Sequence, residues 1–124
     1  MGARTMRAMD ISSYVAGNKL KIKAEEQRRL DFYKVAREKA KKVAKTLRDS
    51  FPNIEVYLFG SLTTDMYELE SDIDIAVKGL LEENYFKAYR IAEDIAEPIP
   101  LDFIQFEFAQ ESMQERIVRD GVRI

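Results

Sequence analysis

The stretch that most limits the folds open to this chain is Ile54-Glu-Val-Tyr-Leu-Phe-Gly-Ser61, followed after ten residues by Asp72-Ile-Asp-Ile-Ala-Val77. The second run carries the period of an extended strand: Asp72 and Asp74 fall on one face, their roots about 7 Å apart, while Ile73, Ile75 and Val77 take the other. A third run, Pro100-Leu-Asp-Phe-Ile-Gln-Phe106, sets Asp102 opposite Leu101 and Phe103 in the same way. Strands built like this must bury the apolar face against something. The pattern therefore predicts an α/β (α+β) domain, a small mixed sheet with helices mainly on one face and carboxylates on the other.

Each acid has an ordinary reading when taken alone. An isolated Asp-x-Asp is more often a solvated strand edge or turn, a Gly-Ser pair is punctuation, and Asp102 would serve as an edge charge that discourages aggregation. Their conjunction points instead to phosphoryl chemistry. Two Mg²⁺ ions about 3.5–4 Å apart need hard, anionic oxygen ligands converging from a rigid frame, and carboxylates on strands supply one. Gly60 ends the first strand, where a missing Cβ lets a phosphate approach the backbone, and Ser61 opens a turn whose N–H groups and hydroxyl suit phosphate. Composition narrows the chemistry further. The 124 residues contain no cysteine and no histidine. That removes disulfides, thiolate and imidazole metal sites, a histidine base and any Ser-His-Asp triad, and leaves carboxylates, Lys, Tyr and hydroxyls.

At Gly60, Ser61, Asp72 and Asp74 the chain resembles the nucleotidyltransferase superfamily of polymerase beta, and within it the minimal nucleotidyltransferase (MNT) branch, whose signature is Gly-Ser, ten residues, then Asp-x-Asp. The likeness covers Ile54 to Phe106 well and the tail from Arg116 to Ile124 more loosely. It implies the polymerase beta palm fold. Asp72, Asp74 and Asp102 would be the catalytic and metal residues, holding two Mg²⁺, with Mn²⁺ as the alternative ion. Gly60 and Ser61 would contact the β- and γ-phosphates of ATP. The expected reaction moves AMP onto a hydroxyl and releases pyrophosphate. MNT proteins of this type resemble antitoxins paired with HEPN-domain toxins, so the expected acceptor is a tyrosine of such a partner. Two alternatives stand beside this: a non-catalytic module that neutralises a partner by docking, and a small-molecule transferase of the aminoglycoside-modifying kind, which would need a homodimer to build its acceptor cleft. One departure from the family bears on the choice. An arginine often follows the Gly-Ser there, whereas here Leu62-Thr-Thr-Asp-Met66 follows and the next basic residue is Lys78; the grip on the triphosphate would be weak, or completed by Lys78 as the expected nucleotide-binding residue, or completed by a partner protein. Asp65, Glu68 and Glu70 add negative charge ahead of the site, which favours cations and repels a bare nucleotide.

The net charge of −2 conceals two unlike halves: residues 1–50 carry 14 Lys or Arg against 6 acids, and residues 51–124 carry 6 against 16. The basic half, residues 1–50, is expected to be a helical segment packing on and extending from the minimal domain of residues 51–124. Its helix should run from Ser12 to Asp49, with Tyr33, Ala36, Ala40, Val43, Leu47 and Phe51 facing the sheet and a break near Gly17-Asn18. Glu25, Glu26, Asp31 and Glu38 interleave the lysines, so a solvated face or neutralisation of the acidic half is favoured over a nucleic-acid footprint. Tyr14, Val15 and Leu20 would be the anchors of an alternative docking arm. Further on, Glu83 to Ala96 reads as a helix with Tyr85, Tyr89, Ala92 and Ala96 on one stripe. Phe108 to Asp120 reads as another, with Met113 and Ile117 inward and Gly121 closing it. No apolar run reaches the length of a membrane span, and the cytoplasm is the expected compartment.

Overall fold

The computed structural model describes the backbone of residues 2–64 and 71–124 and the side chains of residues 15–64 and 71–124. Asp65, Glu68 and Glu70, and the side chain of Tyr14, lie outside the described residues. Seven principal elements follow in order: α1 (Gly2–Ser50), β1 (Glu55–Phe59), β2 (Ile73–Lys78), α2 (Tyr85–Ala96), β3 (Leu101–Gln105), α3 (Glu111–Asp120) and β4 (Val122–Arg123). Short 3₁₀ turns occupy Gly60–Thr63, Glu82–Asn84 and Phe106–Phe108. No described helix is long and apolar enough to cross a membrane.

α1 is continuous through Gly17 and Asn18, where a break was expected. A glycine inside a helix costs only about 1 kcal/mol relative to alanine, and the first proline of the chain is Pro52. Nothing before that residue is a strong enough breaker to stop the helix. The chain forms two compact units, residues 1–32 and residues 33–124. In the first, Val15, Leu20 and Ile22 are exposed, and local pairs such as Arg29 with Glu26 lie along the helix surface. In the second, Ala36, Ala40, Val43, Ala44 and Leu47 of α1 are completely buried, as their spacing predicts. Lys39 ties α1 to the end of α2 by donating to the carbonyls of Ile95 and Glu97, oxygens that lack partners at a helix C-terminus.

The sheet has the order β3-β2-β1-β4. β2 lies antiparallel to β1 and parallel to β3, and α2 is the crossover that a parallel pair requires. Val56, Leu58, Ile73, Ile75 and Val77 are almost fully buried, together with Ala88, Ala92 and Ala96 of α2. Each large aliphatic side chain buried in this way contributes about 1.5–3 kcal/mol. Tyr85 and Tyr89 pack on Phe103, so the tyrosine stripe is structural, as its position on the helix suggests.

The opposite face of the sheet is not left bare. Ile117 of α3 is fully buried with Ala76 and Phe106, and Tyr57, Phe59 and Ile104 pack around them. Part of the carboxylate-bearing face is therefore roofed by α3. Two details of the expected last helix change accordingly. It begins at Glu111 because Phe106–Phe108 turns separately, and Met113 is 37% exposed while only Ile117 is buried. Gly121 leads into the short strand β4, which the sequence pattern did not indicate, and β4 pairs with β1.

Candidate active site

Pairing register brings two of the three acids together. Asp74 of β2 stands directly beside Asp102 of β3 and, on its other side, beside Phe59 of β1. Neighbouring strands are about 4.8 Å apart, so the two carboxylates leave adjacent positions on one face. Asp72 immediately precedes β2 and is exposed, as is Asp102, while Asp74 is half-buried. The effect on Asp74 is direct: burial first, then the charges of Asp102 and Asp72, push its carboxyl up to about 6. A carboxylate is disfavoured both by loss of water and by like charges nearby, and a cation would relieve both.

Gly60 lies against this carboxylate. Its φ is +77°, in the region that favours glycine, and a Cβ built there would collide with Asp74 Oδ2. The absence of a side chain thus serves two needs at once: the backbone turns, and it approaches the acid closely. From Gly60 the chain enters the 3₁₀ turn Gly60–Thr63 with Leu62 fully buried as its anchor. Thr63 Oγ1 donates to Gly60 O at 2.7 Å and Thr64 Oγ1 to Ser61 O at 3.0 Å. These two hydroxyls fix the turn. The sequence reading passed over them, although a Thr-Thr pair following Gly-Ser is a recognisable signal of local side chain-to-backbone bonding. The first N–H groups of such a turn have no partner inside it.

Lys78 is not brought to this cluster. It lies four residues beyond Asp74 on β2, about 13 Å along the strand, and its Nζ sits 5.1 Å from the centroid of the Phe106 ring. Ala76, packed under Ile117 and Phe106, stands between the two positions. The cluster of Gly60, Ser61, Asp72, Asp74 and Asp102 therefore contains no lysine or arginine from the strands that form it.

The donor set consists only of carboxylate oxygens, which suits a hard divalent cation. Among the described residues no three acids are drawn into a ready-made cage. Mg²⁺ does not require one, because it is ordinarily held by one or two carboxylates with water and substrate phosphates completing its shell. Asp74 and Asp102 side by side, with Asp72 one pleat earlier, fit that mode of binding.

Residues 41–124 match the family model described as polymerase beta, nucleotidyltransferase. A toxin–antitoxin crystallised with AMP-PNP is 27% identical with a TM-score of 0.55, over 68% of this chain and 70% of that one. The toxin–antitoxin MntA-HepT is 25% identical with a TM-score of 0.51, over 70% of this chain and 69% of that one. A tri-AMPylated Shewanella oneidensis HEPN toxin in complex with MNT antitoxin is 25% identical with a TM-score of 0.52, over 71% and 70%. Among curated proteins none matches.

Proposed function

This chain belongs to the polymerase beta nucleotidyltransferase family, and from that premise we propose that it transfers AMP from ATP to a hydroxyl of a HEPN-type partner protein, a tyrosine by expectation, and acts as the antitoxin of that pair. The observation that carries the reading is the contact of the Gly60 backbone with the Asp74 carboxylate, which itself stands beside Asp102. Phosphates held at the Gly60–Thr63 turn would lie directly over the acids. The similarity to complexes of MNT antitoxin with AMPylated HEPN toxin, and to one crystallised with AMP-PNP, supports the choice of nucleotide and partner.

In the proposed reaction a bond forms between the acceptor oxygen and the α-phosphorus of ATP while the bond from that phosphorus to the bridging oxygen breaks, and pyrophosphate leaves. Asp72, Asp74 and Asp102 would hold Mg²⁺, which when bound supplies charge neutralisation at the attacking and leaving oxygens. Asp102, exposed and at the head of β3, would receive the hydroxyl proton. Gly60 and Ser61 orient the β- and γ-phosphates. Lys78 takes no part. The test is intact mass of the purified pair after incubation with Mg²⁺ and each nucleoside triphosphate in turn. A gain of one or more whole AMP units on the partner, absent with Asp72→Asn, is expected. A stable complex that gains no mass with any nucleotide would overturn the enzyme reading.

A second reading is favoured by one observation. No basic residue lies between Ser61 and Lys78, and Lys78 is engaged over Phe106. A domain without a cationic grip on the triphosphate would neutralise its partner by docking alone, and neutralisation that persists in nucleotide-free conditions would select this reading.

A further inference from the structure

β3 is the edge strand of the sheet and it carries Asp102. Beyond Asp102 along the same strand is a groove of about 360 Å³ walled by Tyr85, Phe103, Ile104, Phe108 and Met113, without a single charged side chain among its lining residues. Its rim is apolar where solvent would normally favour polar groups: Phe108 is 68% exposed. The walls are held from beneath. Tyr85 donates its hydroxyl to Phe103 O, and Gln114 donates to Phe106 O at 2.7 Å, which fixes the turn from which Phe108 projects.

We infer that this groove and the outer edge of β3 form the acceptor subsite, and that the acceptor is an extended polypeptide segment laid along β3 with its hydroxyl side chain beside Asp102. The inference rests on the transferase reading and specifies where on this chain the acceptor segment lies. Three features choose the occupant. Among the described residues β3 pairs with no strand except β2; apart from Phe103 O, which the Tyr85 hydroxyl holds, its outer edge offers the main-chain hydrogen bonding that an added strand uses. The uncharged, mostly apolar lining, with Gln105 and Gln110 as its polar members, suits side chains of a peptide, whereas a polycationic sugar would require acids there and a nucleic-acid strand would require lysine or arginine. Continuity with the reacting centre comes from the strand itself. Asp102 and Ile104 share one face with a separation of about 7 Å, so a segment that seats an apolar residue against Ile104 and Phe108 presents its neighbour two residues away at Asp102.

The experiment uses the complex with the co-expressed HEPN partner and two exposed-site variants, Phe108→Glu and Met113→Lys. Each should raise KM for the partner at least tenfold while leaving KM for ATP and the thermal midpoint unchanged. Partner KM within twofold of wild type in both variants would overturn the subsite. Hydrogen exchange supplies a readout independent of turnover. In the Asp74→Asn protein, the partner should slow exchange of amides in residues 101–105, and unprotected amides in a formed complex would overturn the added-strand geometry. Protection without any AMP transfer by the wild-type chain would mean that the groove holds a peptide while the enzyme reading fails. Transfer without protection would mean the reverse.

Discussion

Asp74→Asn should stabilise the protein at neutral pH in the absence of divalent cations, although it removes a residue proposed to be essential. The Asp74 carboxyl is raised from its ordinary 3.8 to about 6 by burial and by Asp102 and Asp72. Its folded pKa lies above the unfolded one, so between these values the native state binds the extra proton. Stability associated with this group is therefore fully present below pH 4, declines as pH rises towards 6, and stays diminished above it. A shift of this size corresponds to about 3 kcal/mol at full weight. Because the side chain is only half-buried, solvent screening reduces the expected penalty to about 1–2 kcal/mol. Asparagine has a similar shape and no charge, so the variant escapes this penalty.

Urea unfolding in EDTA between pH 4 and 7.5 reads the effect as a difference between variant and wild type, which cancels the titration of the carboxylates that do not interact with Asp74. That difference should grow by about 1–2 kcal/mol in favour of Asp74→Asn from pH 4 to 7, with an unchanged m-value. At neutral pH it corresponds to several degrees in thermal midpoint for a chain of this size. Adding Mg²⁺ should raise the wild type and leave the variant nearly where it was, since only the wild type retains the full ligand set. A difference that is flat with pH, or a variant less stable at pH 7 without metal, would refute the account of Asp74 as an electrostatically strained residue.

Gly60→Ala should cost about 1–3 kcal/mol and abolish AMP transfer, because the new Cβ meets both an unfavourable positive φ and the Asp74 carboxylate; an alanine variant with wild-type stability and turnover would contradict the described contact. Ile117→Ala should cost about 2–4 kcal/mol in chemical denaturation, since it empties the only fully buried position of α3 above Ala76 and Phe106; a loss under 1 kcal/mol would mean that α3 does not roof the sheet. Lys78→Met should leave KM for ATP within twofold, because the ammonium sits over Phe106 and away from Asp74; a tenfold rise would return Lys78 to the nucleotide site.

The arrangement of the candidate residues was largely legible because its information is local. Alternation in Asp72-Ile-Asp-Ile assigns faces without any tertiary knowledge, and the Gly60 stop follows from what a residue without a Cβ permits. The rest depended on long-range pairing. Whether Asp102 meets Asp74 is a matter of strand order and register, and no periodicity within Leu101–Gln105 encodes either. Placement of α3 was hidden for a related reason. Met113 and Ile117 share a helical stripe, but the separate turn at Phe106–Phe108 tilts burial onto Ile117 alone. The continuity of α1 went the other way, with the local signal at Gly17-Asn18 overweighted against a run of good helix formers. Lys78 was selected as the nearest basic residue in sequence, and the strand's own length carries it away from Asp74 to a place over the Phe106 ring.

The unequal treatment of the three acids follows from the same topology. β2 has a neighbour on each side, β1 and β3, so Asp74 is flanked by Phe59 and by Asp102 and loses water that Asp72 and Asp102 retain. The most desolvated carboxylate is also the one against which Gly60 presses, and it is the one pushed up to about 6. Moving this acid to either exposed flank would lessen its strain and would equally lessen its contact with the Gly60 turn. The destabilisation of Asp74 thus arises from the same placement that joins the phosphate-facing backbone to the acids. A divalent cation would gain affinity from this arrangement to the extent that it removes the repulsion, which would tie the strain at Asp74 to the proposed use of a metal-loaded nucleotide rather than a bare one.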